Sequence, residues 1–243
     1  MSDWLFAALA EHDPDRPAVD TSRGALTYRW LLSTIDQLAS STDQSLGSAR
    51  SVVVLSQRGE ASTIIALLAI MRSGRVPLML DASAQADRVA ALADLLGAPV
   101  MDSAGAVLRH ARSTPQVEVS WADDGAYLVS TSGSTAAPRV VLCRWSGLKA
   151  VSHELMHRYY IDETSRVLQF AAPSYDAYMA DVIPVLLAGG VSVCCDGDGW
   201  TTPRRLVEVI RGRAVTHATF PPSYLKRLVS HLDDVRLVTL VSA

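Results

Sequence analysis

The chain has 243 residues, of which 49% are hydrophobic and 19% are charged, and its net charge is −3. This composition is that of a globular protein, and the length suits one large α/β domain or two small ones. The charges form no block of one sign, so we expect neither a nucleic-acid surface nor a membrane surface. The apolar run 64–71 is far shorter than the ~20 residues that span a bilayer. The N-terminus lacks the basic region of a secretory signal, so we expect a cytoplasmic protein.

The three cysteines and six histidines have neither the spacing of a metal site nor that of a disulfide framework. Cys194 and Cys195 lie in VSVCCDGDG, which is typical of the end of a buried strand. His153 and His157 are four residues apart on a predicted helix, and no third ligand follows them. We therefore predict a pair on the helix surface and no metal site.

Predicted strands and helices alternate along the chain from residue 50 onward. The pattern predicts a strand at 51–56, a helix at 61–74, a strand at 76–80 and a helix at 86–97. The strand-like segments PVMD, AYLVS, RVLQF and VSVCC follow at wider spacing, with helical segments between several of them. This alternation predicts an α/β fold with mostly parallel sheets flanked by helices.

Two further segments stand apart from this alternation. The Ser/Asp/Gln-rich stretch 40–50 is predicted to be a surface loop. The last nine residues, VRLVTLVSA (235–243), read as a buried strand with no turn or polar tail after it. An exposed apolar strand is a liability in a complete domain, so we expect a truncated sequence.

Residues 127–139 read YLVSTSGSTAAPR, an apolar strand that runs directly into hydroxyl residues and a glycine. In an α/β fold, ligands bind at the loops that follow the carboxyl ends of strands. Small residues there let main-chain N–H groups approach a ligand, and Ser and Thr hydroxyls add donors, which suits a polyphosphate. The Walker pattern GxxxxGK[ST] is absent. Taken alone, the run is more typical of an ordinary solvated loop.

Four other segments accompany this loop. They are LTYRWL (26–31), MRSGRVPLMLD (71–81), RVLQFAAPSYDAYMAD (166–181) and VTHATFPPSYLKRL (215–228). In this order, all five resemble segments of adenylate-forming enzymes, and especially of the adenylation domains of nonribosomal peptide synthetases. The matches span about residues 14–243. The resemblance implies that residues 1–243 are a partial adenylation domain, namely its N-terminal core.

The resemblance also implies a reaction, in which a carboxylate and ATP give an acyl-adenylate and pyrophosphate. ATP with Mg²⁺ is the implied cofactor, and the magnesium ligand is expected outside this chain. The phosphate-binding residues that the resemblance implies are Thr131, Ser132, Gly133, Ser134, Thr135 and Arg139. At the family's Gly-x-Pro-Lys-Gly, this chain has Ala136-Ala137-Pro138-Arg139-Val140. Arginine keeps the positive charge of the family's lysine but has a different geometry.

The chain lacks the family's Tyr-Gly-Pro-Thr-Glu segment, ribose-binding aspartate, hinge and C-terminal subdomain with its catalytic lysine. Neither Lys149 nor Lys226 stands at a matching position. We therefore assign no catalytic residue and expect an enzyme half that needs a complementary half and serves a carrier protein. The alternative is a non-catalytic scaffold that resembles an adenylation domain and binds a carrier protein or a synthetase.

Asp176 lies in PSYDAYMAD, where peptide-synthetase members of the family place an aspartate that pairs with the substrate's α-ammonium group. By the same register, the side-chain pocket would be lined by Ala177, Ala180, Thr219, Val241 and Ala243. These residues are small or apolar, so we predict a neutral substrate side chain. Without the resemblance, Asp176 is interpreted as the cap of a helix that begins near Ala177.

Overall fold

The structure is a computed structural model. It describes residues 3–47, 52–57, 61–81, 86–110, 124–131, 139–194, 202–232, 237 and 239–242. Its helices are α1 (Asp3–Ala10), α2 (Tyr28–Leu46), α3 (Ala61–Arg72), α4 (Ala86–Leu96), α5 (Trp145–Tyr159), α6 (Ala177–Leu187), α7 (Pro203–Gly212) and α8 (Pro222–Leu228). Its strands are β1 (Pro17–Thr21), β2 (Gly24–Thr27), β3 (Val52–Gln57), β4 (Val76–Asp81), β5 (Val100–Met101), β6 (Val107–Arg109), β7 (Gly125–Thr131), β8 (Arg139–Arg144), β9 (Arg166–Gln169), β10 (Val191–Cys194), β11 (His217–Phe220) and β12 (Thr239–Ser242).

The described strands form two six-stranded sheets. The first sheet has the order β12-β11-β9-β10-β1-β2, and only its β1–β2 pair is antiparallel. The second sheet has the order β6-β5-β3-β4-β7-β8, in which β5–β6 and β7–β8 are antiparallel. The prediction of mostly parallel sheets with flanking helices is confirmed.

Helices α3 and α6 contribute many residues to the largest apolar cluster of the described residues. Nine consecutive residues of α3, from Thr63 to Met71, are buried, and α6 is buried from Val182 to Leu187. A helix that is apolar on every side belongs in a protein interior, between other layers. The same cluster contains Val19 and Val167 of the first sheet together with residues of the second sheet. The core therefore joins both sheets.

The predicted loop at 40–50 is wrong for residues 40–46, because α2 continues to Leu46. Ala39 and Thr42 are buried along its inner face. The hydroxyls of Ser40 and Thr42 bond to main-chain carbonyls four residues earlier in the helix. The polar residues whose composition predicted a loop form the outer face of an amphipathic helix.

The remaining elements agree with the sequence prediction within one or two residues. Predicted helices at 61–74 and 86–97 correspond to α3 and α4, and predicted strands at 51–56 and 76–80 correspond to β3 and β4. Buried Cys194 ends β10, and His153 and His157 are exposed on α5. Cys195 lies outside the described residues. Residues 239–242 form the predicted C-terminal strand.

Candidate functional site

A cavity of about 140 Å³ lies between the first sheet and helices α5 and α6. Residues of α5, β9, α6, β11 and β12 line it. Helix α5 packs against α6, and α6 packs against β9 and β10. The cavity therefore lies where two helices cover neighbouring strands of a parallel sheet.

Four of the predicted pocket residues line this cavity, namely Ala177, Ala180, Thr219 and Val241. The first two are three residues apart on α6, a spacing that places them on one helix face. Thr219 on β11 is the direct register partner of Val241 on β12. Two strands and one helix thus bring distant parts of the sequence to one space. The fifth predicted residue, Ala243, lies outside the described residues.

Asp176 lies at the N-terminus of α6, immediately before Ala177. It is exposed and is not among the cavity-lining residues. Its Oδ1 accepts a hydrogen bond of 2.9 Å from the main-chain N–H of Ala177. The backbone of Asp176 is helical (φ −62°, ψ −30°), whereas a usual N-cap is extended and accepts from a residue two or three positions later. Asp176 is therefore an atypical cap.

Asp176 also lies close to the β7–β8 hairpin. Burial raises the pKa of Tyr127 on β7, and the nearby Cys143 and Asp176 raise it further. Burial likewise raises the pKa of the Cys143 thiol on β8, and Asp176 contributes to that increase. These effects place the start of α6 beside the hairpin that carries the predicted phosphate loop.

Two of the predicted phosphate residues, Thr131 and Arg139, lie at the loop end of this hairpin. Thr131 ends β7, Arg139 begins β8, and the two are register partners in the antiparallel pair. The Arg139 side chain is exposed, and no ion pair from it is found within the described part of the chain. Ser132, Gly133, Ser134 and Thr135 lie outside the described residues.

Two buried titratable residues of the cavity were missed by the sequence analysis. Asp181 on α6 is 2% exposed and His217 on β11 is 4% exposed, and both line the cavity. A signal for each was present. Asp181 follows Ala177 by four residues, which is the spacing of one helix face, and His217 precedes Thr219 by two residues, which is the spacing of one strand face.

The Asp181 carboxylate joins α6 to the chain that leaves β9. Its Oδ2 accepts hydrogen bonds from the main-chain N–H groups of Phe170 (3.2 Å) and Ala171 (3.0 Å). Burial raises the pKa of the Asp181 carboxyl to about 7, although the two N–H donors act in the opposite direction.

His217 has a partner at each ring nitrogen. Its Nε2 lies 2.9 Å from the carbonyl oxygen of Tyr159, and its Nδ1 lies 2.7 Å from Oγ1 of Thr216. A carbonyl only accepts, so Nε2 carries the proton and donates it, and Nδ1 can accept from the threonine hydroxyl. Burial lowers the pKa of His217, which favours this neutral form.

In the described ranges, no group of three or more His, Cys, Asp or Glu side chains is arranged to hold a metal ion. None of the described helices is both long enough and apolar enough to cross a membrane.

The sequence profile of a family described as "AMP-binding enzyme" matches residues 98–241, which is more than half of the chain. The chain belongs to this family. The matched range contains the β7–β8 hairpin, helix α6 and the cavity, so the family match covers the whole candidate site.

Two relatives of this AMP-binding chain are peptide synthetases. Bacitracin synthase 3 of Bacillus licheniformis is 29% identical over 259 aligned residues, which cover 96% of this chain and 4% of that protein. Nonribosomal peptide synthetase otaB of Aspergillus carbonarius is 30% identical, with 93% of this chain and 13% of the relative covered. The chain is thus similar to a small part of much longer proteins.

Solved structures agree with this assignment. Holo-PA1221, a peptide-synthetase protein with adenylation and PCP domains, has a TM-score of 0.78 and 25% identity. The superposition covers 94% of this chain and 42% of PA1221. The synthetase FmoA3 in its AMPPNP-bound form has a TM-score of 0.79 at 21% identity and shares the fold. This AMP-binding chain is therefore a partial adenylation region.

Proposed function

We propose that this chain is the N-terminal half of an amino-acid adenylation domain. It binds ATP and an amino acid for aminoacyl-AMP formation, and it requires a complementary half for activity. The observation that carries this proposal is the cavity, because four residues that the resemblance assigns to the substrate pocket line one space. The shared cavity of Ala177, Ala180, Thr219 and Val241 supports the proposal.

In the proposed reaction, a carboxylate oxygen of the amino acid attacks the α-phosphorus of ATP. The new P–O bond forms as the bond to the β-phosphate oxygen breaks, and pyrophosphate leaves. The chain contributes positioning and charge stabilisation, which are the main protein contributions to such a step. Asp176 pairs with the α-ammonium group, and the cavity holds the substrate side chain.

The end of the β7–β8 hairpin suits the phosphates of ATP. Arg139 is an exposed cation there, and Thr131 precedes the hydroxyl run on the paired strand. Bidentate contact between a guanidinium and a phosphate is favourable. The magnesium that accompanies ATP is expected to find its ligand outside this chain, so no role of the described residues depends on it. PA1221 carries a PCP domain, which supports a carrier protein as a partner.

The role of Asp176 is tested by comparing an amino acid with its deaminated analogue. In the enzyme assembled with its complementary half, Asp176→Ala should weaken use of the amino acid by about 1–3 kcal/mol, the range for a charge-assisted hydrogen bond. Use of the deaminated analogue should equal that of the unsubstituted enzyme. Asp87→Ala, in the exposed first turn of α4, is the matched control. An equal loss with both substrates would identify Asp176 as structural.

The second candidate is a non-catalytic scaffold for a carrier protein or a synthetase. The altered loop favours it, because Ala136 and Val140 replace both glycines of the family's pattern. If a glycine there needs a positive φ, its replacement costs roughly 1–2 kcal/mol or reshapes the loop. Calorimetric titration with ATP distinguishes the adenylation half from the scaffold, since a scaffold whose loop has lost its phosphate-binding geometry would not bind the nucleotide.

A further inference from the structure

The wall that α6 presents to the cavity carries short side chains over its first turn. Ala177 and Ala180 line the cavity three residues apart on one helix face, and each side chain is a single methyl group. Neither residue reaches far into the space, so this wall is shallow. The volume that a larger side chain would fill at either position is part of the cavity.

The opposite wall is formed by neighbouring strands of the first sheet. Thr219 on β11 and Val241 on β12 are register partners, and both line the cavity. Paired residues of adjacent strands lie side by side on one face of a sheet. The cavity is therefore a slot between a helix face of methyl groups and a sheet surface. A slot of this kind fits a flat group better than a thick one.

The volume and the apolar lining of this slot suit a single ring. The volume of about 140 Å³ is close to that of an engineered protein cavity of ~150 Å³ that binds benzene. Ile161 and Val167, which also line the slot, are 8% and 5% exposed. A small aliphatic side chain would leave part of this space empty, and the lining would lose dispersion contacts there.

Tyr159 adds an aromatic residue to the lining. Its carbonyl oxygen lies 2.9 Å from Nε2 of His217 and accepts from the hydroxyl of Thr239 at 3.1 Å, which fixes the end of α5 against the sheet. No contact between the Tyr159 ring and another ring is found in the part of the chain that the structure describes. Aromatic rings attract each other beyond the effect of buried area. An aromatic occupant therefore gains a ring contact that the described protein does not supply.

The polar groups of the slot do not require a charged occupant. Oδ2 of Asp181 already accepts two main-chain N–H groups, and both ring nitrogens of His217 have protein partners. Thr219 is half-buried, and its hydroxyl has no partner among the described residues. One neutral hydroxyl does not compensate a buried charge, so an uncharged side chain is favoured.

We propose that this slot selects an amino acid whose side chain is a planar aromatic ring. The ring lies between the alanines of α6 and the Thr219–Val241 pair, and it contacts Tyr159. This inference rests on the proposed amino-acid binding, and it adds the chemical class of the side chain.

Phenylalanine and 3-cyclohexylalanine test the slot, because they share a carbon skeleton and differ in the thickness of the ring. Dissociation constants are measured by calorimetry on the full chain with a non-hydrolysable ATP analogue present. Phenylalanine should bind more tightly than cyclohexylalanine by roughly fivefold or more, because the puckered ring overpacks the slot. It should bind more tightly than alanine by roughly tenfold or more. Lysine, whose side chain carries an ammonium group, should bind more weakly than phenylalanine.

A larger residue at position 180 fills the slot from the α6 side. Ala180→Leu should weaken phenylalanine binding by roughly tenfold or more, whereas alanine binding should change by less than about threefold. Ala91→Leu makes the same change at an exposed position of α4 and should leave both affinities unchanged. If Ala180→Leu does not fold, Ala180→Val, which adds a smaller group, decides by the same comparison.

The outcomes separate this inference from the proposed function. Equal affinities for phenylalanine and cyclohexylalanine, or tighter binding of lysine, would overturn the aromatic class alone. An unchanged ratio of phenylalanine to alanine affinity in the Ala180 variant would do the same. If none of the four amino acids binds, the amino-acid site itself is refuted and the inference with it.

Discussion

Asp181 is ionised at a cost to the folded protein. Its pKa in the folded state is about 7, against 3.8 for an unperturbed aspartate. Below about pH 4 the carboxyl is protonated in both states, and burial then carries no charge penalty. As pH rises towards 7, the unfolded chain releases the proton first, so the free energy of unfolding falls. Above about pH 7 this decrease in the free energy of unfolding is complete.

This sign leads to a measurable difference from Asp181→Asn, which has no proton to lose. The variant's free energy of unfolding, relative to that of the unsubstituted chain, should increase by a few kcal/mol between pH 4 and pH 8. Urea denaturation at each pH measures the free energies of unfolding of the variant and of the unsubstituted chain. A difference that is independent of pH would show that the Asp181 carboxyl titrates as an exposed one does.

Arg139 is the residue expected to contact the phosphates of ATP. Arg139→Ala should weaken ATP binding by about 1–3 kcal/mol, because it removes a charge-assisted contact. Arg139→Lys should keep the charge and lose the bidentate geometry. Its affinity for ATP should therefore lie between that of the unsubstituted chain and that of Arg139→Ala. Arg144→Ala, an exposed arginine at the other end of β8, controls for net charge. Affinity that is unchanged at matched salt would identify Arg139 as an ordinary surface residue.

At the scale of secondary-structure elements, Gly190 in the α6–β10 connection has no room for a side chain. A Cβ atom at Gly190 would lie 2.7 Å from the carbonyl oxygen of Ser165 and 2.9 Å from that of Asp162. These are main-chain atoms, so they cannot move aside as a flexible side chain would. The carbonyl of Gly190 also accepts from the Tyr28 hydroxyl at 2.9 Å. This contact point sets the position of α6 against the first sheet.

Gly190→Ala should therefore destabilise the protein by about 1–3 kcal/mol, the range for overpacking. Gly147→Ala in α5 is the matched control, because a Cβ atom there meets nothing within 4 Å. Alanine is the better helix former, so the control should be neutral or more stable by up to about 1 kcal/mol. Thermal unfolding of both variants tests the difference, and equal melting temperatures would contradict the packing argument.

At the scale of the whole molecule, residues 1–243 cover 42% of PA1221, and we expect the family's adenine-binding segment and adenylate-forming lysine to lie outside them. The purified chain should therefore show no substrate-dependent exchange between ATP and pyrophosphate. Exchange should appear when a polypeptide with those segments is added. Arg139→Ala in the same mixture should lower the rate. Robust exchange by the chain alone would refute the requirement for a second half.

The alternation of strands and helices was predictable from the sequence, because it depends on local periodicity in the apolar residues. The resemblance predicts that Ala177, Ala180, Thr219 and Val241 share one pocket, and these four residues do line one cavity. Their role towards a substrate stays a prediction. The helical character of residues 40–46 was not predictable, because local composition favoured a loop. Burial of Ala39 and Thr42 against the core outweighed that local preference.

The sequence by itself determined the fold class, the family and the segments that form the candidate site. Only the tertiary structure decided which buried groups face the cavity and what each can still bind. Asp181 and His217 are both polar residues at periodic positions, and their hydrogen-bond partners distinguish them. Tyr159 and Thr216 occupy both nitrogens of His217, whereas one oxygen of Asp181 has no donor among the described residues. Burial and hydrogen-bond partners come from elements far apart in the chain, so local sequence does not specify them.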